Sequence, residues 1–253
     1  MNQAYFRFYG SLKDFLSPDR RQTTIVYQFK DAGSIKDAIE SLGVPHPEVD
    51  LILVNGESID FDYLVQANDR ISVYPAFTAL DVSTVTRVRP TFSHPLRFVA
   101  DVHLGKLATS LRLLGFDTWY HNQADDPLLA EISSQEDRIL LTQDRGLLKR
   151  RIVTRGYLVR HHEVYSQVVE VLQRFELFDA IAPMTRCLRC SGELNLVDKA
   201  TIQSQLEPLT QQYYDEFSQC QTCSQIYWQG THYQRLQNFV DRVRQAANAP
   251  ALV

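Results

Sequence analysis

Residues 96–115 read LRFVADVHLGKLATSLRLLG, and the two periodicities in this stretch decide the fold class of the chain. The first six residues form a short apolar run typical of a strand, which ends in Asp101. A helical pattern then runs up to Gly115, and its apolar stripe consists of Leu104, Leu107, Ala108, Leu111 and Leu114. A strand followed at once by an amphipathic helix is the repeating unit of parallel sheets.

The same alternation continues along the chain. Further strand patterns lie at 117–122, 138–142 and 156–161, and helical patterns at 124–136, 145–151 and 163–175. Pro127 falls in the first turn of the second helix, where proline is favoured. We therefore predict an α/β domain over residues 96–182, with a parallel sheet and helices on both sides.

Residues 1–80 have another order of elements: strand, strand, helix, strand, hairpin, strand. Ser34 is a helix cap and Asn55-Gly56 is a strong hairpin signal. This order predicts a ubiquitin-like β-grasp domain, and LILVNG with ANDRISVYP resembles the sulfur-carrier proteins of thiamin and molybdopterin synthesis. Those carriers end in Gly-Gly, whereas this chain reads YPAFTALD there and continues, so we expect a docking or folding role instead of sulfur transfer. Residues 81–95, with their Ser, Thr and Pro, read as a linker.

Charge is segregated along the chain. The net charge is -4, and residues 1–80 account for it with seven Lys/Arg and eleven Asp/Glu. Residues 138–160 instead hold seven Lys/Arg and only Asp144. No apolar run approaches the roughly 18 residues of a membrane span, and the N-terminus lacks a signal-peptide pattern, so we expect a cytoplasmic protein with no membrane partner.

All four cysteines lie in two Cys-x-x-Cys pairs, Cys187 with Cys190 and Cys220 with Cys223. Two such pairs supply four thiolates to one tetrahedral ion, and a cytoplasmic location argues against disulfides. We predict structural Zn²⁺ in a zinc ribbon that, with a C-terminal helix, spans residues 183–246. With four sulfur ligands the ion has no position for water, so its role is in folding.

Three carboxylates are predicted to meet at the carboxyl edge of the parallel sheet, where ligands gather. Asp101 ends the first strand, Asp144 follows the third, and Asp126 or its neighbour Asp125 follows the second. Their oxygens suit Mg²⁺ or Mn²⁺. Alternatives remain for each acid: Asp126 and Asp101 are natural helix caps, and Asp144 could pair with Arg145 or Lys149.

Several cations follow Asp144 directly, among them Arg145, Lys149 and Arg150. Beside a carboxylate metal site, we predict that these residues and Lys106 position an RNA backbone. The alternative is an ordinary solvated basic face.

The run LRFVADVHLGKLATSLRLLGFDTWY, then ADD, RILLTQDRGLLKRR, CLRC, CQTC and IYWQGTHYQRL resembles the Mut-seven-C family of RNase domains, which is found in bacteria behind a ubiquitin-like domain. The resemblance covers nearly the whole chain. It implies a PIN-like nuclease fold with a zinc ribbon, in which acidic residues hold Mg²⁺ or Mn²⁺ and single-stranded RNA is cut. Asp101 and Asp144 match the family's acids by position, and Asp126 matches more loosely.

The residues and the resemblance together predict a metal-dependent ribonuclease with Asp101, Asp126 and Asp144 as catalytic metal ligands. Two alternatives remain. The chain is either a non-catalytic module that binds RNA or tRNA, or an adaptor whose β-grasp domain docks a protein partner.

Overall fold

The computed structural model describes residues 1–77, 82–88, 95–231 and 233–248. The chain divides into two compact units. The first combines Met1–His94 with Ala130–Leu158, and the second combines Pro95–Leu129 with Val159–Val253.

The N-terminal part of the first unit is a five-stranded mixed sheet with one helix. Its strands are β1 (Asn2–Phe8), β2 (Ile25–Phe29), β3 (Leu51–Val54), β4 (Glu57–Ser58) and β5 (Arg70–Tyr74), and its helix is α1 (Ile35–Ser41). The strand order is β2-β1-β5-β3-β4, in which β1 and β5 are parallel and every other pair is antiparallel. This arrangement confirms the predicted β-grasp fold.

Local sequence signals explain how this domain folds. Ala4, Phe6 and Phe8 alternate along β1 and point into the core, where Phe6 is fully buried. Ser34 caps α1 by accepting a hydrogen bond from the Asp37 N–H at 3.1 Å. The β3–β4 turn uses Asn55 and Gly56 at φ 53° and 94°, the left-handed conformation that a tight hairpin requires.

The described part of the predicted linker packs against this domain. Val82 and Val88 are buried, and the Thr86 hydroxyl donates to the Asp50 carbonyl oxygen. Residues 82–88 are therefore anchored to the domain that they follow. The rest of the predicted linker, Pro95 apart, lies outside the described residues.

The remainder of the first unit comes from the α/β region. From Ala130 onward, helix α3 (Asp126–Gln135) belongs to this unit, and it is followed by β8 (Ile139–Thr142), α4 (Arg145–Leu148) and β9 (Gly156–Leu158). Strands β8 and β9 are parallel, with Leu140 opposite Gly156 and Thr142 opposite Leu158. All four residues of β8 are buried, as expected of a strand that is covered on both faces.

The second unit begins with another parallel pair. Its elements are β6 (Phe98–Ala100), α2 (Gly105–Leu113), β7 (Thr118–Trp119) and α5 (Val164–Arg174), and β6 is parallel to β7. The predicted apolar stripe of α2 is confirmed, because all five of its members are at most 1% exposed. Phe98 of β6 makes an edge-to-face contact with Phe175 at 5.8 Å between ring centroids. Strand, helix, strand with parallel pairing confirms the predicted α/β class.

The C-terminal part of the second unit is a three-stranded antiparallel ribbon followed by a helix. The elements are β10 (Leu194–Val197), α6 (Lys199–Ile202), α7 (Pro208–Tyr213), β11 (Phe217–Cys220), β12 (Ile226–Trp228) and α8 (Tyr233–Gln245). Ile202, Leu206 and Phe217 form its small core. Within the described ranges, no helix is both long and apolar enough to cross a membrane.

Candidate functional site

The four cysteines meet at one point. Their Sγ atoms all lie within 4.8 Å of one another, with Cys187 3.6 Å from Cys223 and Cys190 3.4 Å from Cys220. A tetrahedral ion with Zn–S bonds of about 2.3 Å requires sulfurs about 3.8 Å apart. The four thiols therefore fit a closed structural zinc site, as predicted from the spacing.

The two cysteine pairs have the same backbone geometry. Cys187 N–H donates to the Gly192 carbonyl and accepts at its own carbonyl from Ser191 N–H. Cys220 repeats both bonds with Gln225 and Ser224. Ser191 and Ser224 have φ values of 69° and 59°, so each pair is followed by the same left-handed turn. Such matched turns hold two sulfurs from each side against one ion.

The thiols of the cluster differ in how readily they ionise. Burial raises the pKa of Cys190 to about 12. Burial also opposes ionisation of Cys220, but the N–H groups of Cys223 and Thr222 and the neighbouring thiols outweigh it and lower its pKa to about 7. The lowered pKa favours the thiolate form of Cys220, which is the form that binds a metal ion.

Arg112 connects the cysteine cluster to α2 and β7. This arginine is only 3% exposed, and its guanidinium donates to the carbonyls of Thr118, Leu188 and Arg189 at 2.8 to 3.1 Å. Burial lowers its pKa, although the nearby Cys190 and Cys187 act in the opposite direction. A buried cation beside the thiolates would offset part of the negative charge of a four-sulfur site.

A hydroxyl makes a second connection between the cluster and β7. Ser191 Oγ accepts from the Thr118 N–H at 2.9 Å and donates to Asp117 Oδ1 at 3.2 Å. The first cysteine turn is therefore hydrogen-bonded directly to an edge of the α/β fold.

Asp101 lies where the sequence predicts, directly after β6. It is 5% exposed, and its Oδ1 accepts a long hydrogen bond of 3.4 Å from the His103 N–H. The capping alternative is thus present in the structure, in a weak form.

The pair Asp125 and Asp126 takes two different roles. Asp125 is exposed, and its Oδ1 accepts from the Leu128 N–H at 3.0 Å, so it is the residue that caps α3. Asp126 is half-buried and is the first residue of the helix. The cap that the sequence allows for Asp126 is therefore made by its neighbour.

Asp144 belongs to the first unit, whereas Asp101 and Asp126 belong to the second. It follows β8, is exposed, and caps α4 by accepting from the Gly146 N–H at 2.6 Å. Its own N–H donates to Thr142 Oγ1 at 2.9 Å. Among the described residues Asp144 makes no ion pair with Arg145 or Lys149, so the salt-bridge alternative for this acid is not found.

Two of the predicted RNA-binding cations contact the β-grasp domain. The guanidinium of Arg145 donates to the carbonyls of Asp14 at 3.1 Å and Phe15 at 3.4 Å. Lys149 Nζ donates to the carbonyl of Glu40 at 2.9 Å. Both side chains retain further donors, and Arg145 remains exposed. Lys106 and Arg150, the other two, are exposed.

Two of the buried carboxylates that the sequence does not single out organise the backbone in and after β9. Glu170 accepts from the N–H groups of Arg160 and His161 and from the His161 ring, so it shapes the segment after β9. Glu48, which is 3% exposed, accepts from the Leu158 N–H at 2.6 Å. The sequence marks Glu170 and Glu48 only as acids among apolar neighbours. This pattern is also common at protein surfaces, so it does not identify a buried carboxylate.

The fold and the cluster define a mixed α/β multidomain protein with a β-grasp domain, parallel strands covered by helices, and a four-cysteine cluster that could hold a metal ion. Comparison with known families identifies the class further. Residues 96–240 match the Mut7-C RNAse domain and residues 1–81 match the Mut7-C ubiquitin domain, and the chain belongs to the Mut7-C RNAse domain family. No curated protein and no solved structure matches the chain.

Proposed function

We propose that this chain is a metal-dependent ribonuclease that hydrolyses phosphodiester bonds of single-stranded RNA in the cytoplasm. Asp101, Asp126 and Asp144 are its proposed catalytic residues. The family of residues 96–240 supports a nuclease-like function. The observation that carries the proposal is the burial of Asp101, a carboxylate 5% exposed directly after β6.

A buried carboxylate is unfavourable unless hydrogen bonds or a cation offset its desolvation. A hard cation held by Asp101 would offset part of this desolvation cost. The chemistry of the donors fits, because carboxylate oxygens are the ligands that Mg²⁺ and Mn²⁺ prefer. When bound, such an ion provides Lewis acidity for water activation and for charge on the leaving oxygen.

Burial favours Asp126 over Asp125 as the second acid. Asp125 is exposed and caps the helix through the Leu128 N–H, and its substitution by Asn would preserve that cap. Asp126 stands half-buried at the start of α3, where the helix N-terminus favours negative charge.

The RNA backbone is proposed to contact Lys106, Arg145, Lys149 and Arg150. Lys106 and Arg150 are exposed, whereas Arg145 and Lys149 also bind carbonyls of the β-grasp domain. We therefore assign Arg145 and Lys149 a double role, in RNA binding and in packing against the β-grasp domain.

The test is cleavage of a labelled single-stranded RNA in Mn²⁺, in Mg²⁺ and in EDTA. We expect metal-dependent cutting that is lost in Asp101→Asn/Asp144→Asn and in Asp126→Asn. Asp125→Asn is the matched control one residue away, and it should retain activity. Cutting that survives in EDTA or in the double variant would refute the assignment.

The main alternative is a module that binds RNA without cutting it. In that case the wild-type chain binds RNA but leaves it intact in every metal, and Asp144→Asn binds at least as tightly, because a negative charge has been removed. If the chain neither cuts nor binds RNA, the remaining alternative is an adaptor that docks a protein partner through residues 1–80.

A further inference from the structure

One face of the β-grasp sheet carries an unusual set of side chains. The inward residues of β1 are apolar, whereas Tyr5, Arg7 and Tyr9 alternate on the opposite face. Arg70, Ser72 and Tyr74 form the matching row along β5, because Tyr5 is in register with Arg70 and Arg7 with Ser72. Two neighbouring strands thus present aromatic and cationic groups on the side that faces away from the core.

All members of the two rows except Tyr74 line an open groove of about 650 Å³, which Thr24, Asn68 and Ile71 also border. At one end the rings of Tyr9 and Tyr74 stack, with centroids 4.5 Å apart and planes at 9°. The Arg7 guanidinium lies 5.6 Å from the Tyr9 centroid. These contacts hold Tyr9 and Arg7 in place, while Tyr5 stands half-buried at the other end.

The groove is positively charged although the domain as a whole is acidic. Arg7 and Arg70 are exposed, and no ion pair joins either of them to a carboxylate within the described residues. Asp69 precedes Arg70 in the chain, but it is only 4% exposed and accepts hydrogen bonds from Asn55, Tyr63 and Gln66. The Asp69 carboxylate is therefore occupied by these hydrogen bonds.

We propose that this groove binds single-stranded RNA, with Arg7 and Arg70 against phosphates and a base stacked on Tyr5. The inference rests on the proposed ribonuclease function, for which it supplies a second RNA contact outside the RNase domain. Proteins commonly bind single-stranded nucleic acid through aromatic side chains that stack on bases and cations that contact phosphates. This works for any sequence, since every base has a flat face and every nucleotide a phosphate. A protein partner would favour exposed aliphatic groups, whereas this face offers Val26 only at its edge.

The experiment measures binding of a fluorescent single-stranded 12-nucleotide RNA to the full chain in the Asp101→Asn/Asp144→Asn background, without added Mg²⁺ or Mn²⁺. Arg7→Gln/Arg70→Gln removes both cations of the groove. We expect a loss of affinity of about tenfold, and a decrease of roughly 1.4 in the slope of log Kd against log salt. Lys30→Gln/Lys36→Gln removes the same charge elsewhere in the domain, with Lys36 on α1, and should change affinity little.

Variants at Tyr5 test the stacking separately. Tyr5→Leu should weaken binding by roughly fivefold or more, and Tyr5→Phe should retain affinity because it keeps the ring. Circular dichroism confirms that each variant is folded.

Unchanged affinity in Arg7→Gln/Arg70→Gln, or an equal loss in the lysine control, would overturn the proposal and leave the face to a protein partner. The ribonuclease assignment is tested independently by wild-type cleavage. If the Asp101→Asn/Asp144→Asn variant still cuts RNA, the catalytic assignment fails and the groove proposal is unaffected. If Arg7→Gln/Arg70→Gln binds RNA as tightly as its parent while the wild type cuts RNA, the groove proposal fails and the ribonuclease assignment stands.

Discussion

Arg145 lies over the ring of Phe15, with its guanidinium carbon 5.0 Å from the centroid, and donates a hydrogen bond to the carbonyl oxygen of the same residue. The two residues stand 130 positions apart in the chain. Together with the bond from Lys149 to the Glu40 carbonyl, this contact attaches both ends of α4 to the β-grasp domain. A cation predicted to hold RNA thus also connects two domains.

Arg145→Ala should destabilise the chain because it removes the cation–π contact and both hydrogen bonds to carbonyls. We expect the free energy of unfolding to fall by about 1 to 2 kcal/mol, measured by urea denaturation. Arg151→Ala removes the same charge from an exposed position six residues along, and its effect should stay within about 0.5 kcal/mol. Equal stability of the two variants would mean that the Phe15 contact contributes nothing.

Much of this fold could be predicted from local signals. The period of Leu104, Leu107 and Leu111 identifies α2, and Asn55-Gly56 identifies the first-domain hairpin, because both depend on neighbours in sequence. The meeting of the four cysteines could be predicted as well, since two Cys-x-x-Cys pairs together supply the four ligands of one tetrahedral ion. In the α/β domain the observed strands β6 to β9 are shorter than the strand patterns that predicted them, because pairing stops before the pattern does.

The partners of single polar side chains could not be predicted in this way. Arg112 sits between Leu111 and Leu113 and gives no local sign that it binds the carbonyls of residues 188 and 189. The same holds for Arg145, whose neighbours suggest only a basic surface. Contacts of this kind depend on which distant backbone groups are left without hydrogen bonds once the chain has folded.

The close approach of Gly192 to the second cysteine pair makes a further prediction. A Cβ added there would lie 2.9 Å from Cys220 Sγ and 2.5 Å from Thr222 Oγ1, so Gly192→Ala must move a zinc ligand. We expect one zinc ion per chain in the wild type and zinc affinity about tenfold lower or worse in the variant, measured by competition with a chromogenic chelator. Gly33→Ala is the control, since nothing lies within 4 Å of its added Cβ. Equal zinc affinity in both variants would contradict this geometry.

Substitution of Arg112 should loosen the cysteine ribbon from α2. Arg112→Met leaves the carbonyls of Thr118, Leu188 and Arg189 without their donor, which we expect to lower the free energy of unfolding by on the order of 3 kcal/mol. Arg112→Lys keeps the charge but loses the planar set of donors. Its free energy of unfolding should therefore lie between those of the wild type and Arg112→Met. Lys106→Met makes the same change on an exposed position of the same helix, and a comparable loss there would refute a special role for Arg112.

The cap of α5 should make stability depend on acid pH. The Ser166 N–H donates to Glu163 at 2.9 Å and lowers the pKa of that carboxyl below its usual 4.5, with a smaller contribution from Arg242. A carboxyl with a lowered pKa in the folded state stabilises the protein above pH 4.5, and this contribution disappears as the pH falls through the lowered value. Glu163→Gln should therefore be less stable than the wild type at pH 7 and converge with it at low pH, as measured by urea midpoints across the titration. Parallel curves for the two proteins at all pH values would show that the charge of Glu163 does not act through this cap.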